Sequence, residues 1–228
     1  MWPLRRGMIA GRGALDVGTA AVTFSLTNTD NAVDNANATT ITFTGKSFGT
    51  TDANRRIVIV FFGRTNNTAL TSVTVGGVNA TAVSGAAGIN TNTTISNIYI
   101  TDSDPSGTSG NVVIVGPSAI LRSGIGVYRL ITSNFTATAS ASQISSGGVL
   151  SRSTTITVPS GGGGLNVYGI RDPLTGITWT NATENFDNTM TGGGCVSGAI
   201  TVGTGSITVT ATSADTAECA ISSAAWGL

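Results

Sequence analysis

The chain has 228 residues, with eleven basic and eleven acidic side chains, 31 glycines and no histidine. This balance offers no general electrostatic field for nucleic acid or an anionic membrane, so we expect neither as a partner. The missing histidine excludes the Ser-His-Asp triad and most zinc sites, and no stretch is apolar enough to span a membrane.

Residues 1–17 form a basic segment with little hydrophobic alternation and no apolar run typical of a signal peptide. We interpret this segment as an N-terminal arm, for which docking against a neighbouring subunit and a disordered tail remain alternatives. The residues expected to make the partner contacts are Trp2, Arg5, Arg6, Met8 and Arg12.

The rest of the chain, 18–228, is dominated by period-two alternation, which indicates strands with one buried face. Clear examples are 22–26, 40–44, 73–75 and 206–212. Two runs are apolar on both faces, 57–62 and 112–115, and are predicted to be central strands. A third run, 126–131, is interrupted by Arg129, which we expect to point outward.

Gly- and Pro-rich turns separate these runs and predict about twelve to fifteen short strands. The fold class is therefore all-β, an antiparallel sandwich or jelly-roll-like domain, with the strand order left open. The Ser/Ala/Gly-rich stretch 134–152 is either a long loop or a boundary between two sandwiches. We favour the loop, because the C-terminal piece would be small for its own core and no clean repeat relates the halves.

Gly45-Lys46-Ser47 matches the end of a phosphate-binding loop, and Lys46 is the only lysine in the chain. The motif requires another glycine at position 40, which is Thr40, and a helix after the loop. Because both are missing, we predict a turn with a solvated lysine, and no cofactor.

The segment 101–107 places oxygen donors at alternate positions before a glycine, as in the first half of a calcium loop. Asp102 and Asp104 are its carboxylates, but the twelfth position is Val113 instead of a bidentate glutamate. We therefore predict a turn, and keep Asp102 and Asp104 as weak candidate ligands for a cation.

Glu184 and Asp187 lie close to Trp179 in the segment 179–187, as a glycosidase would need. Residues three apart on a regular strand point to opposite faces, so this pair is not predicted to act together. We expect no catalytic residue in the chain and no enzymatic activity.

Cys195 and Cys219 lie on either side of the strand predicted at 205–212, and the sequence leaves both a disulfide and free thiols open. Arg55 and Arg56 precede the most apolar strand. They are expected to face solvent at the strand end, with a carboxylate of another subunit as the alternative partner.

Roughly residues 38–228 resemble, in order, a group of virion-associated structural proteins of tailed bacteriophages. The stretches that carry the resemblance are "FTGKSFGTTDANRRIVIVFFGR", "LTSVTVGGVNATAV", "SGNVVIVGPSAILRSGIGVYRL", "ITVPSGGGGLNVYGI", "TWTNATENFD" and "AAWGL". The group supplies no catalytic residues, and the arm lies outside the resemblance.

The resemblance implies a structural protein on a phage capsid or tail, such as a decoration protein or fibre, assembled in the host cytoplasm. Its partners would be other virion proteins and copies of itself, for which we expect a trimer. The alternatives are a polysaccharide-cleaving enzyme and a module that binds a host-surface glycan or receptor. Such a module would use the stacking platforms Tyr99, Tyr128, Tyr168 and Trp179.

Overall fold

The computed structural model describes residues 21–65, 69–87, 94–171 and 176–228, and the regular structure of these residues consists of thirteen strands. The strands are β1 (Ser25–Asp34), β2 (Ala38–Ser47), β3 (Arg55–Thr65), β4 (Ser72–Val75), β5 (Val78–Ala87), β6 (Thr94–Thr101), β7 (Ser109–Ile131), β8 (Ala139–Val158), β9 (Gly163–Ile170), β10 (Ile177–Thr180), β11 (Thr183–Thr189), β12 (Cys195–Thr201) and β13 (Gly205–Trp226). The predicted all-β class is confirmed.

Sheet 1 contains seven antiparallel strands and is organised by the long strand β7. The second half of β7 pairs with β1 and β3, and its first half pairs with β2 and β4. From β3 the strand order continues through β6 and β5 to β4, and β4 in turn pairs with β7. The sheet therefore curls until it closes on itself, and one core cluster fills the curl.

Sheet 2 contains six strands and is organised in the same way by β13. The second half of β13 pairs with β9 and its first half with β10, while β8 pairs with both halves. Strands β12 and β11 continue the sheet beyond β9. The sheet stays open between β10 and β11, which are its two ends.

The two sheets follow one topology, so the chain is a tandem structural repeat, here called unit 1 (25–131) and unit 2 (139–226). Strands β3 to β7 correspond in order and pairing to β9 to β13, and β1 with β2 corresponds to β8. A left-handed residue opens the turn after β4 and the turn after β10, Gly76 and Asn181 respectively. The expectation that no repeat relates the halves is therefore wrong at the level of topology.

The long bent strands also correct the predicted boundaries. Gly116 and Pro117 lie inside β7, at the bend where the strand changes neighbours, so 112–115 and 126–131 belong to one strand of 23 residues. Most of the stretch 134–152 belongs to β8 and not to a loop. Its Ser/Ala/Gly composition concealed a strand because one of its edges and much of its surface face solvent.

Strand β3 lies at the centre of the molecule and is buried on both faces, as its sequence predicts. Ile57, Ile59 and Phe61 point into the curl of sheet 1. The residues between them, Val58, Val60 and Phe62, point to the opposite face. They belong to a second core between the sheets, which also contains Leu165 and Trp226. Two sheets thus pack face to face, which confirms the predicted sandwich arrangement.

Glycines let the two sheets approach closely. A Cβ atom at Gly169 of sheet 2 would lie 1.8 Å from Cδ2 of Phe62 in sheet 1. In the opposite direction, a Cβ at Gly126 of sheet 1 would lie 2.3 Å from Cε1 of Phe186, and one at Gly124 would lie 2.2 Å from Cγ1 of Val196. Side chains of each sheet therefore occupy space that a missing side chain leaves in the other.

We predict that Gly169→Ala lowers the free energy of unfolding by about 2–3 kcal/mol, because overpacking displaces a buried ring. In a Phe62→Ala background the same substitution should cost less than about 1 kcal/mol, since loss of Cγ and the ring leaves room for the methyl group. Urea unfolding of the four proteins in this cycle measures the coupling. Equal costs in both backgrounds would show that Phe62 is not what requires glycine at position 169.

Candidate functional site

Gly45-Lys46-Ser47 forms the last three residues of β2 and binds a carboxylate of its own chain. Gly45 has φ +62°, which glycine adopts without steric cost. Lys46 Nζ lies 3.4 Å from Asp30 Oδ1, and the amide of Ser47 donates a hydrogen bond of 2.9 Å to Asp30 Oδ2. The predicted turn is instead an irregularity inside β2, where the register with β7 shifts between Phe43 and Lys46, and the predicted solvated lysine is paired and only partly exposed.

Asp104 does not contribute to an open cation site, because its carboxylate is paired with Arg55. Arg55 Nε donates to Asp104 Oδ1 at 2.6 Å, and its other nitrogens donate to the carbonyls of Gly49, Pro105 and Gly107. The Arg55 side chain is completely buried. The guanidinium therefore fastens the loop after β6 to the start of β3, and the expectation of a solvent-facing or inter-subunit Arg55 is wrong.

Three further charged residues at this end of sheet 1 are more exposed than Arg55. Asp102 is exposed and accepts a hydrogen bond of 2.8 Å from Thr81 Oγ1. Arg56 lies on the other face of β3, with its guanidinium carbon 4.1 Å from the centre of the Phe135 ring. Arg129 is partly buried and donates from Nε to the carbonyl of Thr50 at 3.0 Å.

Glu184 and Asp187 lie on the same face of β11, in contrast to the sequence prediction. The register with β12 shifts between Glu184 and Phe186, so Asn185 is an extra residue in a β-bulge. Glu184 then pairs with Ala199 and Asp187 pairs with Ser197. Partial burial and the charge of Asp187 raise the pKa of Glu184.

Asp187 is fully engaged in structural contacts. Its Oδ2 accepts a hydrogen bond of 2.7 Å from the amide of Ile177, and its Oδ1 accepts one of 2.5 Å from the thiol of Cys195. Trp179 Nε1 donates to Ser197 Oγ at 2.8 Å. These side-chain bonds join β10 to β11 and β12 across the opening of sheet 2, where sheet 1 has the β4–β5 ladder.

Cys195 and Cys219 are both buried and free. They pair with Ile170 from opposite sides, so two strand spacings, roughly 9.5 Å, separate their backbones. A disulfide needs Cα atoms within about 7 Å, which decides between the two alternatives in favour of free thiols. Burial, followed by the hydrogen bond and charge of Asp187, raises the pKa of Cys195, and burial raises the pKa of Cys219.

The tyrosines proposed as glycan platforms lie in the core and not on the surface. Tyr128 and Tyr168 are completely buried and Tyr99 is 6% exposed. Trp179 is partly buried beside the interior cluster of sheet 2. Strong burial of all three phenol rings leaves no stacking face on them for a sugar. The predicted arm residues Trp2, Arg5, Arg6, Met8 and Arg12 lie outside the described residues.

One surface that no sequence motif indicated is the outer face of β8, β13 and β10, here called the hydroxyl face. Neighbouring strands place hydroxyls opposite each other, with oxygens 2.7 Å apart in Ser153–Thr210 and 2.8 Å apart in Thr155–Thr208. Its members are Ser151, Ser153, Thr155, Thr157, Thr178, Thr180, Ser206, Thr208, Thr210 and Thr212. The alternation at 206–212 predicted one strand of this face, but its partner strands were not recognised.

Comparison with known proteins gave no matching family model, curated protein or solved structure. Across the described ranges, no group of three or more potential metal-ligating side chains is present. The same residues include no helix long and apolar enough to cross a membrane.

We predict that Asp104→Asn lowers the free energy of unfolding by about 3 kcal/mol, because the buried Arg55 guanidinium loses its counter-charge. Asp102→Asn is the matched control two residues away and should cost less than about 0.5 kcal/mol, since Asp102 is exposed. Chemical denaturation measures both. Similar costs for the two variants would contradict a structural role specific to Asp104.

The two thiols also predict a loss of stability at alkaline pH. A thiol in the unfolded chain ionises near about pH 8.5, whereas both folded thiols have raised pKa values, so their stabilising contribution is present below that pH and lost above it. Above about pH 9 each thiol should lower the free energy of unfolding by up to about 1.4 kcal/mol per pH unit.

Urea unfolding at pH 8, 9 and 10 tests this dependence, with a Cys195→Ala/Cys219→Ala variant as the reference. The variant should be less stable at pH 8 because it loses packing, but its stability should fall less steeply with pH. Parallel curves for the two proteins would rule out the thiols as the titrating groups.

Proposed function

We propose that this chain is a non-enzymatic structural component of a tailed-bacteriophage virion, exposed on capsid or tail as a decoration protein, fibre or similar accessory. Its proposed partners are other virion proteins and further copies of itself, and it would assemble in the host cytoplasm. The main observation in support of the proposal is that carboxylates at the candidate sites make hydrogen bonds and ion pairs that hold the fold together.

Three carboxylates in or beside the candidate motifs hold elements of the fold together. Asp104 binds the buried Arg55, and Asp30 binds Lys46 and Ser47 at the end of β2. Asp187 accepts from a backbone amide and a thiol, which leaves it poorly placed to act as a nucleophile or general base. Such use of carboxylates favours a protein whose task is to keep its shape.

Mechanical integrity is the second supporting feature. The sheets interlock through Phe62 at Gly169 and Phe186 at Gly126, so relative sliding would drive large side chains into backbone. Sheet 1 closes its curl through the β4–β7 ladder, and side-chain hydrogen bonds of Asp187 and Trp179 bridge the opening of sheet 2. The resemblance of residues 38–228 to phage structural proteins supplies the biological setting.

The burial of Tyr99, Tyr128 and Tyr168 removes the platforms on which glycan recognition was expected to depend. We therefore propose the structural role in preference to receptor binding. Glu184 lies on the same face of its strand as Asp187, but Asp187 is already bonded through both oxygens.

We predict that the protein co-sediments with purified phage particles in a density gradient and is present in many copies per particle. Quantitative mass spectrometry across the gradient, with an antibody to label particles for electron microscopy, measures both properties. The matched control is the same chain expressed without the other virion genes, which should remain at the top of the gradient.

A protein found only in the soluble fraction of the infected-cell lysate would contradict the proposal. Depolymerisation of host polysaccharide by the purified chain, abolished by Glu184→Gln, would replace the structural role with an enzymatic one. Under the proposal, Glu184→Gln leaves particle yield and copy number unchanged.

A further inference from the structure

The outer edge of β8 is an unpaired strand edge within the described residues. All ladder partners of β8 are in β13, and 151–158 pair without interruption with 205–212. In an antiparallel ladder about half of the backbone N–H and C=O groups of an edge strand point away from its neighbour. This edge therefore offers a row of donors and acceptors that another strand could use.

The sequence of this edge carries little of the usual protection against pairing. The segment Ser-Arg-Ser-Thr-Thr-Ile-Thr-Val contains no proline, and its register has no bulge. Its one charged residue, Arg152, lies on the face opposite the exposed Thr155 and Thr157, together with the buried Thr154 and Ile156. Natural edges that must stay free usually carry charges, prolines or bulges.

Unit 1 provides an internal comparison, because β1 and β2 occupy the place that β8 has in unit 2. This equivalent edge is broken at 35–37 and carries bulges in both strands. It also bears the charged residues Asp30, Asp34 and Lys46, and β11 contacts it through the 2.8 Å hydrogen bond from Asn188 Nδ2 to Asn31 Oδ1. The same edge is thus protected in one unit and left open in the other.

We propose that the 151–158 edge of β8 pairs antiparallel with the same edge of a second copy of this chain. Such pairing is self-complementary and closes after two copies. It joins two hydroxyl faces into one continuous surface. Hydroxyl–hydroxyl hydrogen bonds like Ser153–Thr210 and Thr155–Thr208 can then also form between the two copies. No charged side chain stands on the joined face, so no like charges oppose each other.

This inference deepens the proposed structural role and rests on it only for the expectation of repeated copies. A second copy is favoured over an unrelated partner because the edge matches itself in hydrogen-bonding pattern and its hydroxyl face bears no charge that a second copy would repel. The proposed two-fold contact predicts assemblies of even copy number, whereas the expectation from the sequence was a trimer.

Sedimentation equilibrium of the full-length chain tests the proposal. Wild-type protein should form a reversible dimer at micromolar concentration. Thr155→Lys/Thr157→Lys places charges beside the edge of each copy and should weaken dimerisation by at least about tenfold. The matched control, Thr40→Lys/Thr42→Lys, alters exposed threonines on the equivalent strand of unit 1 and should dimerise like the wild type.

A wild-type monomer at about 100 µM would overturn the proposal, including the case in which another segment or another virion protein covers β8. Equal weakening by both double variants would also overturn it, since the contact would then not be specific to β8. Sedimentation of the isolated chain is independent of particle association, so a chain that dimerises but is missing from particles contradicts only the virion role.

Discussion

The close approach of the two sheets is the constraint on which the rest of the structure depends. Large side chains on β3 and β11 reach the backbone of the opposite sheet, and glycine is required where they arrive. Phe62 lies over Gly169, and Phe186 lies between Gly126 and Gly198. Because β3 and β9 are central strands of their sheets, these contacts position every other strand of both units.

The two units have the same topology, but different interactions connect the ends of their sheets. Unit 1 closes its curl with backbone hydrogen bonds and fills it with aliphatic and aromatic side chains such as Ile57 and Phe61. Unit 2 stays open between β10 and β11 and bridges the opening with Asp187 and Trp179. Its interior also contains paired polar groups, such as Asn166 with Thr201 at 2.8 Å.

Much of the fold could be predicted from the residue pattern. The doubly apolar run 57–62 predicted a central strand, and alternation predicted the outward hydroxyls of 206–212; both are confirmed. The repeat was not predictable from side chains, because it is conserved in backbone pairing whereas the residues that fill each curl differ. Gly116 and Pro117 are typical turn residues, so the local sequence predicts a turn at this bend of β7. Only the pairing of β7 with β2 and β3 shows that the strand continues.

The candidate sites were harder to predict, since each depends on a contact distant in sequence. Arg55 is buried because the loop around Asp104 folds over it, 49 residues further along the chain. One bulge residue, Asn185, places Glu184 and Asp187 on the same face and reverses the prediction made from strict alternation. The hydroxyl face exists only because β8, β13 and β10 become neighbours.

The central claim is that the interlocked sheets make the two units one cooperative structure. Native-state hydrogen exchange under conditions of rapid reclosing measures this most directly, by comparing the opening free energies of central amides in β3 and β9. We predict that both sets exchange only through global unfolding, with the same free energy and the same dependence on denaturant. Exchange of β9 at a distinctly lower free energy while β3 stays protected would contradict it, because unit 2 would then open without unit 1.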